Sequence, residues 1–154
     1  MHAPKTLVLG LGNDLLADDA VGIVAAQRLG PLLRGRADVV ASPLHGLALL
    51  DLFIGYDRAV VIDAIQTGRC RPGTIMEIDP KELRSAPAPS PHFAGLPEML
   101  ALSRRLGVHF PNAVRIVAVE VADLLTIGAG MTPAVRHVLP ELCRYVCRII
   151  DGDP

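Results

Sequence analysis

The sequence predicts an α/β fold: a single doubly wound three-layer sandwich with a mostly parallel, twisted five-stranded sheet flanked by helices. Short, continuously apolar runs suit strands buried on both faces, and amphipathic stretches between them suit the crossover helices of such a sheet. The third observation is compositional. The chain has 154 residues, 51% hydrophobic and 20% charged, which describes one domain over 1–154 that can bury roughly 70% of its unfolded surface.

Thr6 to Leu11 is the first apolar run, closed by Gly10 and Gly12, glycines that suit a tight turn. Asp18 can cap the helix that follows, in which Val21, Val24, Ala25 and Leu29 form one stripe ending near Gly30-Pro31. Ala37 to Ala41 is a second strand. Leu47, Leu50 and Ile54 then share a helix face that stops at Gly55. Arg58 to Ile62 makes a third strand with Asp63 at its carboxyl end, and Thr74 to Ile78 a fourth, after a turn-rich segment (67–73) short enough for an antiparallel or edge placement. Asp79 to Pro91, with its Ala/Ser-Pro steps, is a loop that delivers His92. Leu96 to Leu106 is helical and Ala113 to Val121 is the fifth strand. A last helix starts at Thr132-Pro133, Thr as cap and Pro at the first helical position, and runs to about Ile150 with a kink expected at Pro140.

Fifteen Lys and Arg balance 16 Asp and Glu for a net charge of -1, with no basic run, which argues against a nucleic-acid partner. No stretch approaches the roughly 18 apolar residues of a membrane span, and the run after Lys5 ends too soon for a signal peptide. Cys70, Cys143 and Cys147 are an odd number in a chain able to fold without staples. A reducing, cytoplasmic location is expected.

In a doubly wound sheet, ligands sit beyond the carboxyl ends of the strands where strand order reverses. Asp18-Asp19, Asp63 and His92 fall in loops that should reach that edge. Singly, each has an ordinary reading: Asp18 as a helix cap, Asp63 as a loop-capping carboxylate, His92 as a loop histidine. Together, Asp19, Asp63 and His92 offer two carboxylates and an imidazole, a set suited to a divalent transition ion with positions left open.

Other chemistries lack their signatures. Leu15 stands where a dinucleotide fingerprint needs its third glycine, and there is no Gly-x-Ser-x-Gly elbow, phosphate loop or His-Glu-x-x-His helix; no organic cofactor is expected. Cys143 and Cys147 read as core thiols on one helix face. Cys70 stands between Arg69 and Arg71 with no base nearby in sequence. His45, His109 and His137 have no ligand-like spacing.

The stretch Leu9-Gly10-Leu11-Gly12-Asn13-Asp14-Leu15-Leu16-Ala17-Asp18-Asp19-Ala20-Val21-Gly22 resembles the opening signature of the nickel-iron hydrogenase maturation endopeptidases. Val61-Ile62-Asp63-Ala64-Ile65, Pro72-Gly73-Thr74, Ser90-Pro91-His92 and Met131-Thr132-Pro133-Ala134-Val135 agree in order and spacing, so the resemblance covers essentially the whole chain. It implies a cytoplasmic protease that removes a C-terminal extension from the hydrogenase large-subunit precursor once nickel is inserted. It places the family's metal-contacting and catalytic residues on Asp19, Asp63 and His92. Nickel would be carried by the substrate, so that cofactor assembly itself supplies recognition, and Asp63 or Asp19 are the candidates for a general base. Where many members have a small residue before a glycine, this chain has His45-Gly46. Two other readings use the same ligands: a nickel-dependent checkpoint or chaperone that holds the precursor without cutting it, and a small metal-dependent hydrolase of another peptide.

Overall fold

The structure, a computed structural model, describes residues 2–84 and 90–152. The Ala/Ser-Pro steps at 85–89, part of the expected loop, lie outside the described residues. The strands are β1 (Thr6–Leu11), β2 (Asp38–Ser42), β3 (Arg58–Ile65), β4 (Ile75–Ile78) and β5 (Ala113–Glu120), and the helices are α1 (Val21–Leu32), α2 (Leu50–Phe53), α3 (Leu96–Leu106) and α4 (Pro133–Asp151). The sheet order is β2-β1-β3-β5-β4. All neighbours are parallel except β4, which pairs antiparallel with β5 at the edge. The chain leaves β1 for β2 on one side and returns to β3 on the other, so strand order reverses between β1 and β3.

Alternation along the central strands divides the core in two. Val8, Val60, Ile62, Ala64, Val117 and Val119 pack under α1 and α4. Leu7, Leu9, Ala59, Val61, Ile65 and Ile116 pack against Leu49, Phe53, Leu96 and Met99 on the opposite face. Asp63 shares the parity of Val61 and Ile65 and so faces this second layer.

Several local expectations change. Asp63 does not end β3; the strand continues to Ile65, with Asp63 in register with Ala118, because β5 offers a partner as far as Glu120. β2 begins one residue later than expected and extends to Ser42, which pairs with Leu11. Between β2 and β3 the buried residues are Leu49 and Phe53, whereas Leu47 and Ile54 are exposed. A 3-10 turn at Gly46–Leu49 has three residues per turn, which rotates α2 out of the phase a continuous α-helix would have. α1 passes through Gly30-Pro31 to Leu32, and α4 continues through Pro140 as one helix, burying Val135, Leu139, Leu142, Cys143 and Val146.

The glycines serve close approach more than turning. A Cβ on Gly10 would stand 2.0 Å from the Gly22 carbonyl oxygen, and one on Gly22 would meet the carbonyl oxygens of Leu11 at 2.1 Å and Ile62 at 2.6 Å. A Cβ on Gly12 would lie 2.0 Å from the Asp19 carbonyl oxygen. These glycines let the start of α1 sit directly on β1 and β3, which brings the Asp18-Asp19 turn to the sheet's reversal point.

Candidate functional site

Asp19 lies in a 3-10 turn (Ala17–Ala20) between β1 and α1, Asp63 near the carboxyl end of β3, and His92 in a 3-10 turn at Pro91–Phe93. One ligand atom from each comes within 4.8 Å of the others, and all three residues are buried. The His92 Nε2 is 3.6 Å from the Asp19 Oδ2, an ion-pair distance too long for a good hydrogen bond.

Each member is held by its surroundings. Asp63 accepts from the Ala64 amide at 2.8 Å and from the Ser90 hydroxyl at 2.5 Å. Ser90 also accepts from the His92 amide at 3.2 Å and caps the turn that carries the histidine. The His92 Nδ1 lies 3.2 Å from the Leu44 carbonyl oxygen. A carbonyl only accepts, so Nδ1 carries the proton and the Nε2 lone pair of the neutral ring is left for the cluster.

Burial pushes the Asp63 carboxyl up to about 7. The nearby His92, the Ser90 hydroxyl and the Ala64 amide all favour the carboxylate but do not overcome desolvation, and Asp19 adds a like charge. For His92, burial works against the imidazolium, yet Asp19, then Asp63 and the Leu44 carbonyl, hold it above its ordinary value. Two carboxylates and an imidazole are thus buried together and retain protons at neutral pH, and a divalent cation would replace those protons and balance the carboxylates. The donor set of two carboxylate oxygens and one imidazole nitrogen fits such an ion while leaving positions for water or a substrate group.

Asp18 is not the cap of α1, whose start at Ala20 has no side-chain cap. The Asp18 carboxylate accepts from the amides of Ala122 and Asp123, both at 3.1 Å, and from the Thr132 amide at 2.7 Å. The Thr132 hydroxyl, 2.9 and 3.0 Å from the two carboxylate oxygens, turns to Asp18 as well and does not cap α4. Asp18 therefore fastens the Asp19 turn to loops more than a hundred residues away, a partnership with no signal in local sequence.

Ser90 and Glu120 also escape sequence reasoning. Ser90 stands in the Ser90-Pro91-His92 segment, and nothing in sequence ties its hydroxyl to Asp63. Glu120, buried at the end of β5, accepts from the Thr67 and Gly68 amides at 2.8 and 2.7 Å and from the Thr67 hydroxyl at 2.9 Å, ordering the segment that leaves β3. His45 is exposed, its ring edge-on to His92 with centroids 6.3 Å apart. His109 pairs with Asp57 at the far edge of the sheet, and His137 contacts the Pro133 carbonyl. Cys143 is buried, Cys147 half-buried and Cys70 exposed, and all three are free thiols. No helix among the described residues is long and apolar enough to cross a membrane.

Comparison with known proteins converges on one family. The family model HycI, hydrogenase maturation protease, matches residues 33–149. The hydrogenase 2 maturation protease of Escherichia coli is 32% identical over 146 residues, covering 92% of this chain and 88% of that protein. The hydrogenase expression/formation protein HupD of Rhizobium leguminosarum bv. viciae is 30% identical, covering 96% of this chain and 75% of that protein. Among solved structures, the hydrogenase maturating endopeptidase HybD from E. coli superposes with a TM-score of 0.83 at 29% identity, over 96% of this chain and 93% of that one. The [NiFe] hydrogenase maturation protease HybD from Thermococcus kodakarensis shares the fold, with a TM-score of 0.71 at 22% identity. With its reversal-point sheet and its match to the family model over most of its length, the chain belongs to the hydrogenase maturation protease family.

Proposed function

We propose that this protein is a cytoplasmic endopeptidase that removes the C-terminal extension of a nickel-iron hydrogenase large-subunit precursor after nickel insertion. In this reading the nickel arrives as part of the substrate, and Asp19, Asp63 and His92 receive it. The carrying observation is the buried cluster itself: three ligand atoms within 4.8 Å of one another, with no Arg or Lys paired to either acid among the described residues.

The surrounding groups give each residue its part. The Leu44 carbonyl fixes the tautomer that points the His92 Nε2 inward, and Ser90 fixes the rotamer of Asp63. Before an ion docks, burial holds the Asp63 carboxyl near neutrality; Asp63 and Asp19 are the two candidates to take a proton from attacking water. Docking of a dication displaces the Asp63 proton, because ligation requires the carboxylate. An ion held by Asp19, Asp63 and His92 would supply Lewis acidity to a bound carbonyl. No organic cofactor is needed.

The test is the intact mass of a cognate precursor after incubation with the protein, with nickel-loaded and nickel-free precursor side by side. Loss of a C-terminal peptide from the nickel-loaded form alone is expected. Shortening of both forms would remove nickel from the recognition step. Binding that requires nickel without any shortening would replace the protease with a checkpoint.

A further inference from the structure

Among the described residues the three most exposed large hydrophobics, Leu125 at 82%, Ile127 at 79% and Leu15 at 66%, lie on two loops hydrogen-bonded to one another next to the turn that carries Asp19. Leu16 and Ile127 form an isolated antiparallel bridge, closed by Ala17 N–H to the Thr126 carbonyl at 3.0 Å and Gly128 N–H to the Leu15 carbonyl at 2.9 Å. In this pattern the bridged residues themselves are the non-hydrogen-bonded pair, so their own amides and carbonyls point away from each other. On the Leu16 side those groups are taken, the amide by Asn13 and the carbonyl by Asp19. On the Ile127 side neither the amide nor the carbonyl has a backbone partner among the described residues.

We infer that residues 125–127 are a docking strand on which an extended, apolar segment of the protein substrate, flanking the bond to be cut, adds by backbone pairing at Ile127 while its side chains pack on Leu125 and Ile127. This rests on the protease reading above and names how that same site takes hold of its chain. An open strand edge recognises main chain, and side chains two residues apart on it recognise apolar ones. Such a row exposed to water is otherwise an aggregation hazard, and here it is presented rigidly. The Asp123 carboxylate accepts from the Leu125 and Thr126 amides at 2.9 and 3.0 Å, the Asp18 amide donates to the Asp123 carbonyl at 2.9 Å, and the Asp18 carboxylate holds Ala122 and Asp123. A pre-organised edge loses little freedom on binding. The strand is also tied to the turn that carries Asp19, through Leu16, whose carbonyl accepts from the Asp19 amide.

Two variants separate the backbone from the side-chain contribution. Ile127→Pro removes the open amide without deleting any backbone bond that the loop makes for itself, and Leu125→Ser/Ile127→Ser removes the apolar surface. With nickel-loaded precursor, each is expected to raise KM about tenfold with kcat nearly kept and Tm unchanged, the scale of losing one well-placed contact. Binding of the precursor is measured in parallel, so the inference is tested even if no cleavage occurs. Wild type that binds without cutting, with both variants binding about tenfold more weakly, would sink the protease reading and keep the docking strand. Unchanged KM and unchanged binding in both variants would overturn the docking strand and leave the protease intact. Wild type that neither binds nor cuts the precursor would overturn both.

Discussion

The two ends of the sheet treat acidic residues in opposite ways. At the end where the parallel strands begin, Asp38 meets Lys5, Asp57 meets His109 and Glu77 meets Arg115, all on the surface, where such pairs add little to stability. At the end where they finish, Asp18, Asp19, Asp63 and Glu120 are all buried, and none is paired with Arg or Lys among the described residues. Within this second group there is a further division. Asp18 and Glu120 are surrounded by amides and hydroxyls and act as fasteners, whereas Asp19 and Asp63 face His92 and each other. A buried acid saturated by backbone amides holds the fold, and one left facing an imidazole and a like charge is available for chemistry.

The sharpest way to break this contrast is Asp63→Asn beside Asp38→Asn. The first is expected to lower precursor processing at least 1000-fold, an order typical of losing a central catalytic group, while far-UV circular dichroism stays native; the second should leave processing unchanged. Equal activity in the two variants would erase the distinction between the ends. Next comes Asp18→Ala, which strands the amides of Ala122, Asp123 and Thr132 in a buried setting and should cost about 3–5 kcal/mol in a denaturant titration. Asp57→Asn, the surface counterpart, should shift Tm by no more than about 3 °C.

The pH dependence sharpens the division between fastener and site. Because the Asp63 carboxyl rises from 3.8 to about 7 on folding, the folded state holds a proton the unfolded chain releases. The stability this confers is complete below pH 3.8 and declines as pH rises to about 7. The metal-free protein should therefore lose Tm between pH 4 and pH 7 relative to Asp63→Asn, and a divalent ion should cancel the loss by replacing the proton, with its affinity rising over the same window. Differential scanning fluorimetry with and without nickel or cadmium reads both. Smaller still is Ser90→Ala, expected to lower kcat about tenfold through a looser Asp63 and His92. A similar fall in Asp18→Ala at a temperature where it is folded would show that the fasteners reach the chemistry too.

The fold was legible because its strands are buried on both faces and its helices are periodic, signals that need only neighbours in sequence. α3 appears with the bounds its pattern predicted, and the edge position of β4 follows from the short connection before it. The candidate cluster was legible as three polar residues in loops at one edge. What the sequence hid was partnership across distance. Asp18 looked like a cap because its donors stand 104 to 114 positions away. Gly10 and Gly12 looked like turn residues because the segment that crowds them, Asp19 to Gly22, had not yet been placed, and the face of α2 shifted with the 3-10 turn ahead of it. Ser90 has no identity as a positioning residue until Asp63 is beside it.

The reach of Asp18 has a bearing on the protein's biosynthesis. The turn that carries Asp19 is complete in sequence early in translation, yet the groups that hold it, on Ala122, Asp123 and Thr132, follow it by more than a hundred residues. A nascent chain shorter than this has both carboxylates of the cluster and His92 but no anchor for the first of them. On the protease reading, a chain that stops short of Thr132 would carry Asp19 on an unanchored turn and would cleave poorly.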